Sequence, residues 1–298
     1  MALKTETPST LHQNLDEYAV IDLVNAFADD QLDAVNAVRH AAKEIAAAVT
    51  AAMPRMENNG RLVYVGAGTS GRLGLLDSVE LYPTFSWPHS RAVALLAGGK
   101  QAVYEAIEGA EDNVEQGAAD IIAASVNAND VVLLIAASGA TPYVLGALRA
   151  ARKLGALTIG MANNADAPIT REAEFGITLD TGSEIISGST RLKAGTAQKI
   201  ALNTFSSSVM VRLNKIHGNL MVDVKPTNAK LIRRSVNLTM LVTGADEATA
   251  RATLDAAKFQ VKVAIVAIMK SISVSDAEAL LDKARGSIRR AIAETNAN

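Results

Sequence analysis

Arg61-Leu-Val-Tyr-Val-Gly-Ala-Gly-Thr-Ser-Gly-Arg72 is the stretch whose reading decides the fold. Arg61 to Val65 is dominated by β-formers and runs straight into Gly66-Ala67-Gly68-Thr69-Ser70-Gly71. The pattern beyond it predicts an amphipathic helix over residues 71–81. Glycines at such a turn let backbone approach a ligand closely, and the helix that follows offers unpaired N–H groups and a positive dipole end. Thr69 and Ser70 add hydroxyl donors. This chemistry suits a phosphate. Gly66 to Gly71 also matches G-x-G-x-x-G literally, so a nucleotide site and a plain tight turn remain as rival readings.

Working outward, the residues before this stretch read as helical. A polar arm over 1–14 is followed by a helix over Leu15 to Ala28, and Asp29-Asp30 start a second one. In the second helix Leu32, Val35, Val38, Ala42, Ile45, Val49 and Met53 make one apolar stripe, closed by Pro54 and Asn58-Asn59-Gly60. After the glycine-rich turn, short apolar runs alternate with helices. Strands are expected at 92–96, 129–135, 157–161 and 175–179, and helices at 101–107, 113–125 and 142–154. Near-continuous apolar strands separated by helices mark a parallel sheet covered on both faces, here of about five strands. The fold class is therefore α/β. Four segments follow: an N-terminal helical segment over 1–51, the phosphate-binding sheet domain over 52–220, a connecting helix over 221–243 and a C-terminal helical domain over 244–298. The last contains a near-repeat of 27 residues, in which Leu254, Ala257, Val261 and Lys262 match Leu281, Ala284, Ile288 and Arg289. Two copies are too few for a solenoid.

Composition narrows the function classes. A chain of 298 residues, 49% hydrophobic and 20% charged, is ordinary for a globular protein. A net charge of −2 without a dense basic tract argues against a nucleic-acid partner. The absence of cysteine excludes disulfides, thiolate catalysis and Cys-ligated zinc. The polar N-terminus lacks a signal-peptide core and no apolar run approaches the ~20 residues of a membrane span, so a cytoplasmic protein with no membrane partner is expected.

Ligands of parallel sheets sit at the carboxyl ends of the strands. Three of those ends carry small and hydroxyl residues. The first is Gly66 to Gly71, with Gly68, Thr69 and Ser70 as phosphate contacts. The second is Ala136-Ala-Ser-Gly-Ala-Thr-Pro142, where Pro142 fits a first helical turn, Thr141 its N-cap, and Ser138, Gly139 and Thr141 the ligand. The third runs from Thr181 to Thr190 into Arg191 to Lys199.

Four scattered histidines make no zinc pair, and no serine lies in a nucleophile elbow, so neither a metal nor any other cofactor is expected. Carboxylates remain. Asp77 and Glu80 share a helix face, and Pro83 predicts that this helix stops or bends near Glu80. Asp112 and Glu115 have capping-box spacing, which leaves Glu111 without a structural task. Glu80 and Glu111 stay open as catalytic groups.

Gly-Ala-Gly-Thr-Ser-Gly-Arg72-Leu-Gly, Glu108-Gly-Ala-Glu-Asp112, Ala-Ala-Ser138-Gly with Thr141-Pro-Tyr, Arg191-x-Lys-Ala-Gly-Thr-Ala-Gln-Lys199 and Gly218-Asn-Leu-Met-Val-Asp223 together resemble the N-acetylmuramic acid 6-phosphate etherases. These are sugar-isomerase (SIS) domain proteins related to the glucokinase regulatory protein. The resemblance covers nearly the whole chain. It implies a bacterial lyase of cell-wall sugar salvage that cleaves the lactyl ether of its phosphosugar substrate, giving N-acetylglucosamine 6-phosphate and D-lactate. It also implies Glu80 as the acid, Glu111 as the base at C2, and Ser187, Ser189 and Lys193 as further phosphosugar contacts. Two positions depart from the family pattern: Ala140 stands where an arginine is usual, and Leu81-Tyr82-Pro83 where Cys-Pro-Pro is usual. A phosphosugar-sensing protein and an aldose–ketose isomerase are the alternative readings. The family implies a homodimer, and helix geometry adds a reason. Ten residues of unbroken helix separate Ser70 from Glu80 by ~15 Å, about twice the reach from phosphorus to C3 of a hexose phosphate. A site near the subunit interface, shared by two subunits, is the expectation.

Overall fold

In the computed structural model, which describes residues 3–224, 226 and 228–293, the apolar runs form the five strands of one sheet. These are β1 (Leu62–Gly66), β2 (Ala92–Leu96), β3 (Val131–Ile135), β4 (Leu157–Ala162) and β5 (Phe175–Thr178). Their order is β2-β1-β3-β4-β5 and every pairing is parallel. The helices that accompany them are α1 (Val20–His40), α2 (Ala42–Glu57), α3 (Gly68–Phe85), α4 (Val114–Ala123), α5 (Pro142–Lys153), α6 (Pro168–Glu172) and α7 (Lys193–Arg212).

Strand alternation sorts the core into two layers. Val63, Val65, Val132 and Leu134 pack with Ile121 of α4, Tyr143, Val144 and Leu148 of α5 and Ile169 of α6. Tyr64 points to the opposite face, where α3 crosses at Gly74: a Cβ there would stand 3.0 Å from Tyr64 Cβ. On the first face α4 and α5 approach so closely that a Cβ on Gly117 would lie 1.9 Å from the Tyr143 carbonyl oxygen. The amino ends of β1 and β3 are locked by Arg61, whose Nε and Nη2 donate to Asp130 at 3.0 and 2.6 Å. Asp130 is buried and Arg61 partly exposed, so this fork is a half-buried pair at the amino end of the sheet.

Several boundaries differ from the sequence reading. The break between the first two helices falls at Ala41, not at Asp29-Asp30. Asp30 directs its carboxylate to Lys193 Nζ at 2.7 Å instead of capping a helix. Pro54 and Pro83 lie inside the last turns of α2 and α3, which continue to Glu57 and Phe85. A proline near a helix end forfeits one backbone bond without forcing a stop. The helix expected over 101–107 shrinks to a 3-10 turn, Gln101–Val103. Arg72 accounts for this, taking the carbonyls of Ala102, Val103 and Glu105 that a helix would use. The cap of α4 is Asn113, which accepts from Gln116 N–H at 2.8 Å, one position later than the expected Asp112–Glu115 box. Within the polar arm Lys4–Glu6 form a 3-10 turn, and Thr5 is fully buried.

By its contacts the chain divides at Val79/Glu80, Pro88/His89 and Ser207/Ser208 into two units, the first holding the sheet. The second holds an antiparallel hairpin of β6 (Ile216–His217) and β7 (Leu220–Met221), then α8 (Ala229–Thr243), α9 (Glu247–Ala256), α10 (Val261–Lys270), α11 (Val274–Lys283) and α12 (Ile288–Ala293). The 27-residue near-repeat is a repeated helix pair, α9–α10 and α11–α12. Asp246 and Ser273 cap the first helix of each copy through the N–H three residues on. Left-handed residues fall at matching sites, Lys258-Phe259 and Arg285-Gly286. Leu254, Val261, Leu281 and Ile288 share one core.

Candidate active site

The strand order reverses between β1 and β3, since β2 lies on one side of β1 and β3 on the other. Such a switch point opens a crevice at the carboxyl ends of the two strands. Gly66 and Ile135 are paired across it, so the loops that follow leave the sheet side by side at one level.

The first loop is shaped by contact. A Cβ on Gly66 would lie 2.6 Å from Gly71 N, and one on Gly71 would lie 2.6 Å from Gly66 O, so these two glycines let α3 turn tightly off β1. Gly68 opens α3 with a φ of +52°. Thr69 and Ser70 thus occupy the first turn, whose N–H groups have no helical acceptor. In the second loop Gly139 has a φ of +67°, and any Cβ there would meet that of Ala167 at 2.3 Å. Ser138 Oγ accepts from Ala140 N–H at 3.2 Å, and Thr141 stands at the N-cap of α5 ahead of Pro142. Among the described residues the hydroxyls of Thr69, Ser70 and Thr141 make no hydrogen bond, and Ala140 is exposed.

The third loop reaches the first through α7. A Cβ on Gly195 would stand 3.3 Å from the Thr69 methyl carbon, so the starts of α3 and α7 touch. Glu184, fully buried, caps α7 by accepting from Lys193 N–H at 3.1 Å and Ala194 N–H at 2.9 Å. Burial raises its pKa, and the two N–H groups oppose the rise without cancelling it. Lys193 Nζ lies 2.7 Å from Asp30 and 3.1 Å from Asp33, both on α1. Burial works against its charge, and the two carboxylates outweigh it to leave the pKa raised. The Lys193 side chain is therefore held inside the first unit. Ser187 is exposed and donates to the Glu6 carbonyl at 3.4 Å, while Ser189 is half-buried.

The structure brings together Gly68, Thr69, Ser70, Ser138, Gly139 and Thr141 as the ends of two neighbouring strands. Glu111 is exposed in the 3-10 turn Ala110–Asp112, after Gly109 at a φ of +72°. Glu80 is exposed on α3, which passes it without a break. Neither carboxylate has a hydrogen bond or ion pair among the described residues. Asp77 is the opposite case. It is 3% exposed and accepts from Tyr64 Oη at 2.7 Å, Asn203 Nδ2 at 2.6 Å and Ser206 Oγ at 3.1 Å. Reading the sequence alone missed Glu184 and Arg72, because an acceptor for backbone N–H groups and a donor to backbone carbonyls leave no local pattern. No three His, Cys, Asp or Glu side chains among the described residues cluster as a metal site, and no helix among them is long and apolar enough to cross a membrane. Two helix N-termini and free hydroxyls can hold an anion, and a free carboxylate can move a proton.

Known proteins are similar to this chain. Residues 44–152 match the glucokinase regulatory protein N-terminal SIS domain, and residues 109–208 match the SIS domain. An N-acetylmuramic acid 6-phosphate etherase of Deinococcus radiodurans is 53% identical over 99% of this chain and 96% of its own. One of Halalkalibacterium halodurans is 46% identical over 99% of both chains. Among solved structures, a phosphoheptose isomerase from Francisella tularensis is similar with a TM-score of 0.49 and 18% identity, over 64% of this chain and 98% of that one.

Proposed function

The chain belongs to the N-acetylmuramic acid 6-phosphate etherase family, and on that premise we infer which of its residues bind the substrate and which move protons. It is a carbon–oxygen lyase that converts N-acetylmuramic acid 6-phosphate to N-acetylglucosamine 6-phosphate and D-lactate; identity of 53% along 99% of the chain carries this conclusion.

The phosphate sits in the switch-point crevice. Ser70, Thr69, Ser138, Gly139 and Thr141 supply hydroxyls and backbone N–H groups, with Gly68 giving them room. Ser187 and Ser189 extend the contacts toward the sugar. Lys193 acts at one remove, fixing the start of α7 through Asp30 and Asp33. With the ring open, C2 lies beside an aldehyde and its proton is acidic. Glu111 takes that proton while Glu80 gives one to the ether oxygen on C3, so the C3–O bond breaks, lactate departs and a C2=C3 double bond forms. Glu80, now a carboxylate, takes a proton from the water that adds at C3, and C2 regains its own. That division needs the two carboxyl groups to hold different protonation states when substrate is bound.

The active form is a homodimer with the site near the subunit interface, for the reason of reach along α3. The enzyme works in the cytoplasm, because its charged phosphosugar substrate does not cross a bilayer unaided. Assaying D-lactate release from N-acetylmuramic acid 6-phosphate tests the reading. Wild-type protein releases D-lactate, and both Glu80→Gln and Glu111→Gln abolish it. Interconversion of aldose and ketose phosphates without D-lactate would instead mark an isomerase.

A further inference from the structure

We propose that the N-terminal strap Lys4–Glu6 forms a wall of the phosphosugar crevice, and that Glu6 binds substrate by accepting a hydrogen bond from a sugar hydroxyl or amide N–H. This rests on the crevice reading above and adds a part of the chain that none of the strand-end loops contains.

Thr5 is fully buried in a segment that is otherwise polar and exposed. Asn164, at the end of β4, ties it twice. Asn164 Oδ1 accepts from Thr5 N–H at 3.4 Å, and its Nδ2 donates to Thr5 Oγ1 at 3.0 Å. The same Nδ2 donates to the Ala137 carbonyl at 2.9 Å. Ala137 immediately precedes Ser138, so one asparagine couples the strap to the second phosphate loop. On its other side the strap meets the third loop, through Ser187 Oγ to the Glu6 carbonyl and the ion pair of Lys4 with Asp180 at 2.6 Å. Lys4 and Asp180 are both exposed, so the buried Thr5–Asn164 contact holds the strap more firmly than this pair does.

Glu6 therefore stands between two loops read as phosphosugar contacts, on backbone fixed from both sides. Its carboxylate is exposed, has no hydrogen bond or ion pair among the described residues, and approaches Gly188, where a Cβ would come within 3.1 Å of Oε2. Any larger residue at position 188 would take the space it uses. A carboxylate repels the phosphate itself, so its partner is a neutral donor of the sugar. Such a charge-assisted hydrogen bond is stronger than a neutral one.

The experiment compares wild type, Glu6→Gln, Glu6→Ala and Thr5→Val in steady-state kinetics with N-acetylmuramic acid 6-phosphate. Melting temperatures are taken with and without inorganic phosphate. Losing the charged acceptor is expected to raise KM about tenfold or more, with a smaller change in kcat. Phosphate should protect all four proteins alike. Thr5→Val should reproduce part of the KM rise with Glu6 intact. Wild-type KM in both Glu6 variants, or an effect confined to kcat, overturns the assignment while leaving the phosphate crevice standing. Failure of phosphate to protect even the wild type removes the crevice reading, and this proposal with it.

Discussion

Tyr64 donates its hydroxyl to the Asp77 carboxylate at 2.7 Å in the layer between β1 and α3. With Asn203 and Ser206 also donating, Asp77 is committed to holding the core together. Burial first, then the charge and hydrogen bond of Asp77, push the Tyr64 pKa well above its ordinary value, so the hydroxyl stays a donor. Asp77→Ala, which strands the buried donors of Tyr64 and Ser206 and the half-buried amide of Asn203, should destabilise by about 3 kcal/mol, and Tyr64→Phe by about 1–2 kcal/mol. The folded Tyr64→Phe protein should release D-lactate at close to the wild-type rate. Three residues on, Glu80→Gln should do the reverse. It should leave the denaturation midpoint within about 0.5 kcal/mol of wild type and cut turnover by at least about a hundredfold. Equal loss of stability in both would deny the separation of roles.

The two strand-end loops are expected to act as one anion site. Inorganic phosphate should raise the melting temperature of the wild type through selective binding to the folded state, the more so as its concentration passes the dissociation constant. Ser138→Ala should weaken that protection and raise KM. If the variant binds phosphosugar as tightly as the wild type, the second loop is not part of the site.

Arg72 offers a different kind of test, since it reaches the reaction through backbone. Its guanidinium holds Ala102 and Glu105 carbonyls at 2.9 and 3.1 Å, fixing the segment that leads to Glu111. Arg72→Met should lower kcat more than it raises KM, and phosphate protection should persist. Arg72→Lys should rescue little, because a single ammonium cannot span carbonyls that a planar fork reaches together. Full rescue by lysine would show that charge, not the fork, is what matters.

Much of this was legible in the sequence where one local pattern decides one element. The apolar runs gave β2 its bounds to the residue, while α3 begins at Gly68, inside the glycine-rich turn and ahead of the expected start at 71. The parallel sheet followed from runs that do not alternate, because both faces are covered. What stayed hidden depended on distant partners. Asp30 looked like a helix start because its use by Lys193 lies 163 residues away. The segment after β2 looked helical because nothing local tells that Arg72 takes its carbonyls. The polar arm gave no sign of its buried Thr5, because Asn164, which holds it, is 159 residues off.

His217 on β6 gives the pH prediction. Burial first, and the positive charge of Arg289 second, lower its pKa below the ordinary 6.5. A histidine depressed on folding binds its proton more readily in the unfolded chain. Its stabilising contribution is therefore fully present above 6.5 and is lost as pH falls from there through the lowered value. His217→Gln should flatten part of the fall in melting temperature as pH drops below 6.5. An unchanged slope would mean that other groups set the acid sensitivity.

The sharpest prediction concerns which chain supplies Glu80. α3 is helical from Gly68 to Phe85, with Pro83 inside its last turn. Ten residues of helix rise ~15 Å. A hexose phosphate spans about half of that from phosphorus to C3. A phosphate held at Ser70 and a proton given by Glu80 of the same helix are thus too far apart for one substrate. A twofold dimer resolves the mismatch, because it brings a second copy of α3 to each crevice without any additional sequence. At substrate concentrations well below the raised KM of Ser138→Ala, that protein and the inactive Glu80→Ala protein should then regain D-lactate release when mixed under conditions that exchange subunits. One of the two sites in each heterodimer would combine an intact crevice from one chain with an intact Glu80 from the other. Activity should rise toward about half that of the wild type per heterodimer formed, with exchange followed by differently tagged subunits. Heterodimers that form and stay inactive would show that each chain builds its own site, and the phosphate would then have to sit nearer Glu80 than the first loop allows.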